Sequence, residues 1–363
     1  MLKFCLIAAL TASLAAHAAS FDCARARTPQ EKAICASPRL SAADETLAAA
    51  YKAVLAVAPP DAAAEIRAGQ RNWLRRMAAK CAPWSARDVV LSEAPADSLT
   101  DCMLGDYAYR TAELNHMVLR EGGVTFVWRT ITLTAKDSPD SPGGSGTIAK
   151  PGYGTVTATW PETNDGTPQW KAWNKAIETI TQTMAARADV PPGAKWDPAW
   201  AEDMDEQVTT SIDLVTATLV SATVFNNWYG HGAAHGNTSF IQLNWLPKEG
   251  RELRADDVFR ADSGWDKVLA ARCLESLNRQ TGEDLRAQWQ PGYLDKALHD
   301  AVVEPSSWTV DADGLTITFE QGSIACHACD AGPVTIPWAT IKPLLNPAFV
   351  PPTERADKPD PSN

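Results

Sequence analysis

The first third of the chain carries its apolar residues at helical spacing. Leu47, Tyr51, Val54, Leu55 and Ala58 fall at i, i+4, i+7, i+8 and i+11, one stripe along a helix that Pro59-Pro60 ends. Ile66, Gln70, Trp73, Leu74 and Met77 share one face of a third helix, and a fourth runs from about Leu99 through Cys102, Tyr109 and Leu114. Ahead of these, Thr28-Pro29-Gln30-Glu31 reads as a helix start: Thr28 caps, Pro29 suits the first helical position and Glu31 completes a capping box. Ser41 and Asp44 repeat the device before the second helix.

After Glu121-Gly122-Gly123, read as a short linker, the pattern changes to strands. Residues 124–134 alternate, with a change of parity near Arg129 that predicts a bulge. Residues 137–154 are rich in Ser, Pro and Gly and are expected to form a mobile loop leading to a strand over 153–160. Trp170, Trp173, Ile177, Ile180 and Met184 predict a helix with one buried face, stopped by Pro191-Pro192-Gly193. Residues 206–215 and 219–225 read as a strand hairpin.

That hairpin feeds residues 226–237, Asn-Asn-Trp-Tyr-Gly-His-Gly-Ala-Ala-His-Gly-Asn, whose three glycines and two histidines predict a tight, exposed loop. Residues 238–246 then alternate Phe240, Gln242 and Asn244 against Ile241, Leu243 and Trp245, so the loop joins two antiparallel strands. Further on come a turn at Lys248-Glu249-Gly250 and a helix marked by Trp265, Val268, Leu269, Arg272 and Leu277. Residues 294–302 are helical, residues 308–320 form a hairpin turned at Asp313-Gly314, residues 334–338 are a strand, and Ile341, Leu344 and Leu345 lie on a closing helix. The expected fold is two domains, a small all-α domain over 19–120 and an α+β domain with an antiparallel sheet and helices over 121–346. The proline-rich, charged tail, 347–363, is expected to be disordered.

Composition adds the compartment. Residues 1–18 read as a secretory signal peptide, with Lys3, an apolar run and Ala16-His17-Ala18 as a cleavage site. Export to the periplasm or the medium follows, and no other stretch is long and apolar enough for a membrane span. Without the signal, 32 basic residues face 44 acidic ones. This balance disfavours nucleic acid as a partner and suits a basic protein, because opposite net charge speeds encounter.

Cys23, Cys35, Cys81 and Cys102 form an even set able to staple the helical domain. Of three connectivities, Cys23–Cys35 with Cys81–Cys102 is expected, since each pair clips one helix end to its neighbour. Cys273, Cys326 and Cys329 remain. Cys326-His327-Ala328-Cys329 is a CxxC in a loop between β segments, not at a helix N-terminus, so a structural bridge is expected, either Cys326–Cys329 or one from Cys273 to either of them. His231 and His235 stand four apart, but the surrounding glycines exclude a helical zinc pair, and no metal or other cofactor is expected. Nothing places a nucleophile, base and orienter together, so no catalytic residue is assigned.

Two families are resembled. Phe21, Asp22, Cys23, Thr28, Glu31, Ile34, Cys35, Leu40, Asp44, Tyr51, Gln70, Trp73, Leu74, Cys81 and Cys102 follow the pattern of the LprI-type lysozyme-inhibitor domain. The longer loop before Cys102 departs from it. The loop Tyr229 to Gly236, then Leu253, Asp257, Phe259, Gly314-Leu315 and Ile336-Pro337-Trp338 resemble the C-terminal domain of the lysozyme-binding anti-sigma factor RsiV and of PdaC-type deacetylases. Both resemblances imply lysozyme, or a related peptidoglycan hydrolase, as partner. On this reading Tyr229, His231, His235 and Asn237 are the candidate partner-binding residues, hydrogen-bond donors on a thin loop aimed at the acidic pair of a lysozyme cleft. Two other classes stay open: a cell-wall glycan enzyme or accessory domain, which predicts turnover and a metal, and an envelope interaction module without a lysozyme role.

Overall fold

The computed structural model describes residues 19–81, 96–138, 152–186, 190–191, 194–324 and 332–353. The signal peptide, most of the expected mobile loop, the Pro192-Gly193 stop and the Cys326–Cys329 motif lie outside the described residues. The chain divides into two compact units, residues 1–118 and 119–363.

The first unit is helical: α1 (Pro29–Ala36), α2 (Pro38–Val57), α3 (Pro60–Lys80) and α4 (Ala96–His116). The capping box forms as read, with Thr28 Oγ1 accepting from Glu31 N at 3.1 Å and Glu31 Oε2 accepting from Thr28 N at 2.9 Å. The two amide contacts, from Thr28 and Arg27, hold the Glu31 carboxyl below its usual pKa. Both expected disulfides are present, with Cα–Cα distances of 5.7 Å for Cys23–Cys35 and 5.8 Å for Cys81–Cys102. Leu40, Leu47, Val54, Ile66, Trp73, Met77, Met103, Tyr107 and Leu114 are buried in this unit, each large side chain contributing on the order of 1.5–3 kcal/mol of burial.

The second cap was misplaced. Helix α2 starts at Pro38 behind Ser37, whose Oγ accepts from Leu40 N, while Ser41 and Asp44 lie inside the helix and are buried. Ser41 Oγ donates to Ile34 O at 2.8 Å, and Asp44 accepts from Tyr107 Oη at 3.1 Å and Ser20 N at 2.7 Å. These two polar residues tie the helices together instead of starting one.

The second unit is built on a seven-stranded sheet in sequential order: β1 (Val118–Glu121), β2 (Val124–Lys136), β3 (Tyr153–Thr163), β4 (Met204–Val215), β5 (Val220–Gly230), β6 (Asn237–Leu246) and β7 (Arg251–Glu252). Gly122 and Gly123, read as a linker, are the turn of the β1–β2 hairpin, with φ of +54° and +80° as such a two-residue turn requires. The sheet is mixed and mostly antiparallel. The β3–β4 pair is parallel, because α5 (Pro168–Ala185) intervenes between them and makes a crossover. No bulge occurs at Arg129, which stays in register opposite Trp160; Phe126 packs on Trp170 and Trp173 of α5. The bulge falls in β4, between Ile212 and Leu214.

One face of the sheet, with Val156, Trp160, Val208, Val220, Val224, Leu243 and Trp245, packs on Trp173 and Ile177 of α5. A second core surrounds α6 (Ala255–Val258), α7 (Trp265–Thr281), α8 (Leu285–Gln288), α9 (Tyr293–Val303), the small sheet of β8 (Trp308–Val310), β9 (Leu315–Ile317) and β10 (Val334–Ile336), and α10 (Trp338–Ile341). Phe259 stacks on Trp265 at 4.6 Å and meets Trp308 edge-on at 5.7 Å. Gly314 is irreplaceable at the small sheet, since a Cβ there would lie 2.2 Å from Ile336 O.

A buried polar seam joins the two sheets. Asp213 accepts from Ser211 Oγ at 2.7 Å and Thr223 Oγ1 at 2.6 Å, Gln242 Nε2 donates to Thr223 and to Thr309 Oγ1, and Asn244 Nδ2 donates to Trp308 O at 2.6 Å. Two further sequence expectations change in this unit. Cys273 is a free thiol and not a bridge partner, because it lies on the inner face of α7 among Leu269, Leu274 and Leu277, where burial pushes its pKa up to about 12. Residues 347–353, assigned to the tail, are held in place, with Phe349 N donating to Asn346 O at 2.9 Å and the Phe349 ring 5.3 Å from Trp338.

Candidate functional site

The glycine- and histidine-rich stretch is shorter as a loop than its composition suggests. Asn226 to Gly230 belong to β5, and β6 begins at Asn237, which pairs with Trp228, leaving residues 231–236 as the tip of the hairpin. Asn226 is buried and donates from Nδ2 to Met184 O at 2.8 Å and Glu206 Oε1 at 2.7 Å. Burial raises the Glu206 pKa against that hydrogen bond. The base of the tip is therefore bolted to the end of α5.

The tip is folded by its own groups. Gly232 takes φ +84°, which lets Ala233 N reach Gly230 O at 2.9 Å. Tyr229 Oη donates to Ala233 O at 2.9 Å, and His235 Nδ1 faces Gly236 O at 2.9 Å. Tyr229 stays 39% exposed and presents a ring face beside residues 232–235, which are all exposed.

His231 is not an outward donor. Its backbone N–H donates to Asp203 O at 2.8 Å, its Nδ1 lies 3.0 Å from Asp137 Oδ1 and its Nε2 lies 3.3 Å from Asp205 Oδ2. Asp203, in the left-handed region at φ +61°, accepts from Ser138 N at 2.8 Å and Ser138 Oγ at 2.5 Å. Burial of the ring lowers the His231 pKa, but Asp205 and Asp137 outweigh it and the net shift is upward. The imidazole thus clamps the tip to the ends of β2 and β4. Asp137, Ser138, Asp203 and Asp205 escaped the sequence reading; the closely spaced Asp203 and Asp205 at the start of β4 were a signal for that half of the clamp alone.

The four candidate residues are consequently not equivalent. Tyr229 and His231 shape the tip, while His235 and Asn237 lie at its outer side and at the start of β6. Among the described residues no group of three or more His, Cys, Asp or Glu side chains is placed to hold a metal ion.

In the helical unit the shared motif residues Ile34, Leu40, Asp44 and Trp73 are buried, while Asp22, Thr28 and Leu74 are exposed. Trp73 and Tyr107 meet edge to face at 5.2 Å, and Gln70 Oε1 accepts from Arg110 Nε at 3.0 Å, with Arg110 also paired to Glu113 at 2.8 Å. Large apolar side chains are left outside on α3 and α4: Leu74 is 44% exposed and Tyr109 73%. These two are the large hydrophobic side chains left exposed among the described residues of this unit.

The first unit is in class a small helical domain stapled by two short-range disulfides. Residues 23–114 match the family model described as "Lysozyme inhibitor LprI". No curated protein matches the chain. Two solved structures are similar over 62% of this chain and 96% of their own. One is a DUF3298 family member from Bacteroides fragilis, with 16% identity and a TM-score of 0.40. The other is a DUF3298 family protein from Pseudomonas aeruginosa, with 12% identity and a TM-score of 0.46. No helix among the described residues is long and apolar enough to cross a membrane.

Proposed function

We propose that this chain is an exported lysozyme-binding protein that restrains lysozyme-type cell-wall hydrolases, and that its helical unit makes the principal contact. The match of residues 23–114 to the lysozyme-inhibitor family carries the reading. Two features support it. The chain as a whole is acidic, with a formal net charge of −11 whose excess lies outside the helical unit, and this speeds encounter with a basic hydrolase. Tyr109 and Leu74 supply exposed apolar anchors of the kind that dominate interface energies.

The hairpin tip, 231–236, is the proposed second contact. His231 and Tyr229 hold it in one shape before binding, so little ordering entropy is lost when His235, Asn237 and the Tyr229 ring meet a partner. The test is titration of the mature chain against the major lysozyme types, with loss of wall-lysing activity as the second readout. Turnover of a cell-wall glycan by the chain itself would instead assign it to the enzyme class.

A further inference from the structure

The outer edge of β6 is open. Strand β7 pairs only with Trp245 and Leu246, and Leu253 N donates to Asn244 O at 2.7 Å. Toward the hairpin tip no strand among the described residues continues the sheet. The outward N–H of Phe240 reaches only a side chain, Glu320 Oε1, at 3.5 Å, and Thr238 Oγ1 donates to Gln321 Oε1 at 2.9 Å.

This edge forms one wall of a groove of about 590 Å³ whose other walls are α9 and the chain after β9. Ile241, Ala297 and Ala301 give it an apolar floor, and Tyr293, 48% exposed, stands at the far side. Its charge is one-sided. Asp300, Glu304 and Glu320 line it, and its single cation, Lys296, is already paired with Asp300. The Glu320 carboxyl is partly desolvated there, which raises its pKa, and the Phe240 N–H only partly offsets that.

We propose that this groove binds an extended, basic peptide segment by strand addition to β6. An open row of backbone groups supplies affinity for any strand, the apolar floor takes alternate side chains, and the carboxylates select lysine or arginine at the positions between. Glu320 then exchanges a long contact with Phe240 N–H for an ion pair with the incoming cation, while a peptide carbonyl takes over the N–H. This surface is built from residues of the second unit alone, and the inference holds whether or not the partner of the helical unit is lysozyme.

The test uses the full mature chain and a labelled hexapeptide amide alternating lysine and valine, read by fluorescence anisotropy. Saturable binding is expected, with about tenfold loss on Glu320→Lys, equivalent to one charge-assisted contact. N-methylation of alternate peptide residues is the decisive control. Methyl groups on the residues whose N–H faces β6 abolish binding, and methyl groups on the intervening residues leave it unchanged. Equal effects of the two methylation series, or equal binding of the glutamate–valine peptide, would overturn the proposal. So would a concentration-dependent dimer lost on Glu320→Lys, since the edge would then belong to a second copy of the chain.

Discussion

His231 Nδ1 lies 3.0 Å from Asp137 Oδ1, so a hairpin tip formed by β5 and β6 is pinned to the end of β2, more than ninety positions away in sequence as the numbering shows. The second aspartate, Asp205 at 3.3 Å, completes a carboxylate–imidazole–carboxylate clamp. The charge on the ring therefore controls how firmly the tip is held.

The pH dependence follows from the direction of that shift. The folded-state pKa of His231 is raised, so the clamp contributes fully below the ordinary histidine value of about 6.5 and is lost as pH rises through the higher folded value. Amide hydrogen exchange across residues 232–236, corrected for intrinsic rates, should accelerate above neutral pH in the native protein. In His231→Ala the corrected rate should be high and flat. A His231 titration midpoint at or below the ordinary value would refute the clamp.

Asp44 should be the most sensitive polar residue of the helical unit. Asp44→Ala strands the buried Tyr107 hydroxyl, costing about 1–3 kcal/mol, and also removes the acceptor of Ser20 N–H at an exposed residue, where water can replace it. Tyr107→Phe removes only one donor and should cost about 1 kcal/mol. Urea denaturation should rank the two variants in that order, and midpoints equal to that of the parent protein would show that the Asp44 contacts carry no net stability.

The disulfides should act on the helical unit alone. Reduction of Cys23–Cys35 and Cys81–Cys102 should cost about 2–5 kcal/mol per bridge. Cys273, buried and with its pKa pushed up to about 12, should remain unreactive toward alkylating reagents until the second unit unfolds. Urea denaturation with and without reductant checks the first point and peptide mapping after alkylation of the native protein the second; rapid labelling of Cys273 would contradict its position.

The helical unit was the more legible in sequence because its determinants are local. Thr28 and Glu31 are three residues apart, and the Cys23–Cys35 and Cys81–Cys102 pairs are separated by 12 and 21. Asp44 was misread as a cap because its partner, Tyr107, is 63 positions away. The parallel β3–β4 pair could have been read from the strand–helix–strand order, which an antiparallel hairpin cannot accommodate. The seam from Asp213 through Thr223 and Gln242 to Thr309 was invisible, because polar residues that alternate along a strand look the same facing water or facing a second sheet. At the hairpin the sequence located the tip, but it could not show that His231 turns inward, since that depends on aspartates from two other strand ends.

Binding of a lysozyme-type hydrolase by the helical unit is open to measurement through Tyr109. Calorimetric titration of the mature chain with lysozymes of several types should give saturable binding to at least one, with slower association as salt rises. Tyr109→Ala should weaken that binding by more than about 1 kcal/mol, with the thermal unfolding midpoint unchanged because the ring is 73% exposed. Absence of binding to every lysozyme type by the folded, disulfide-intact chain would contradict the account.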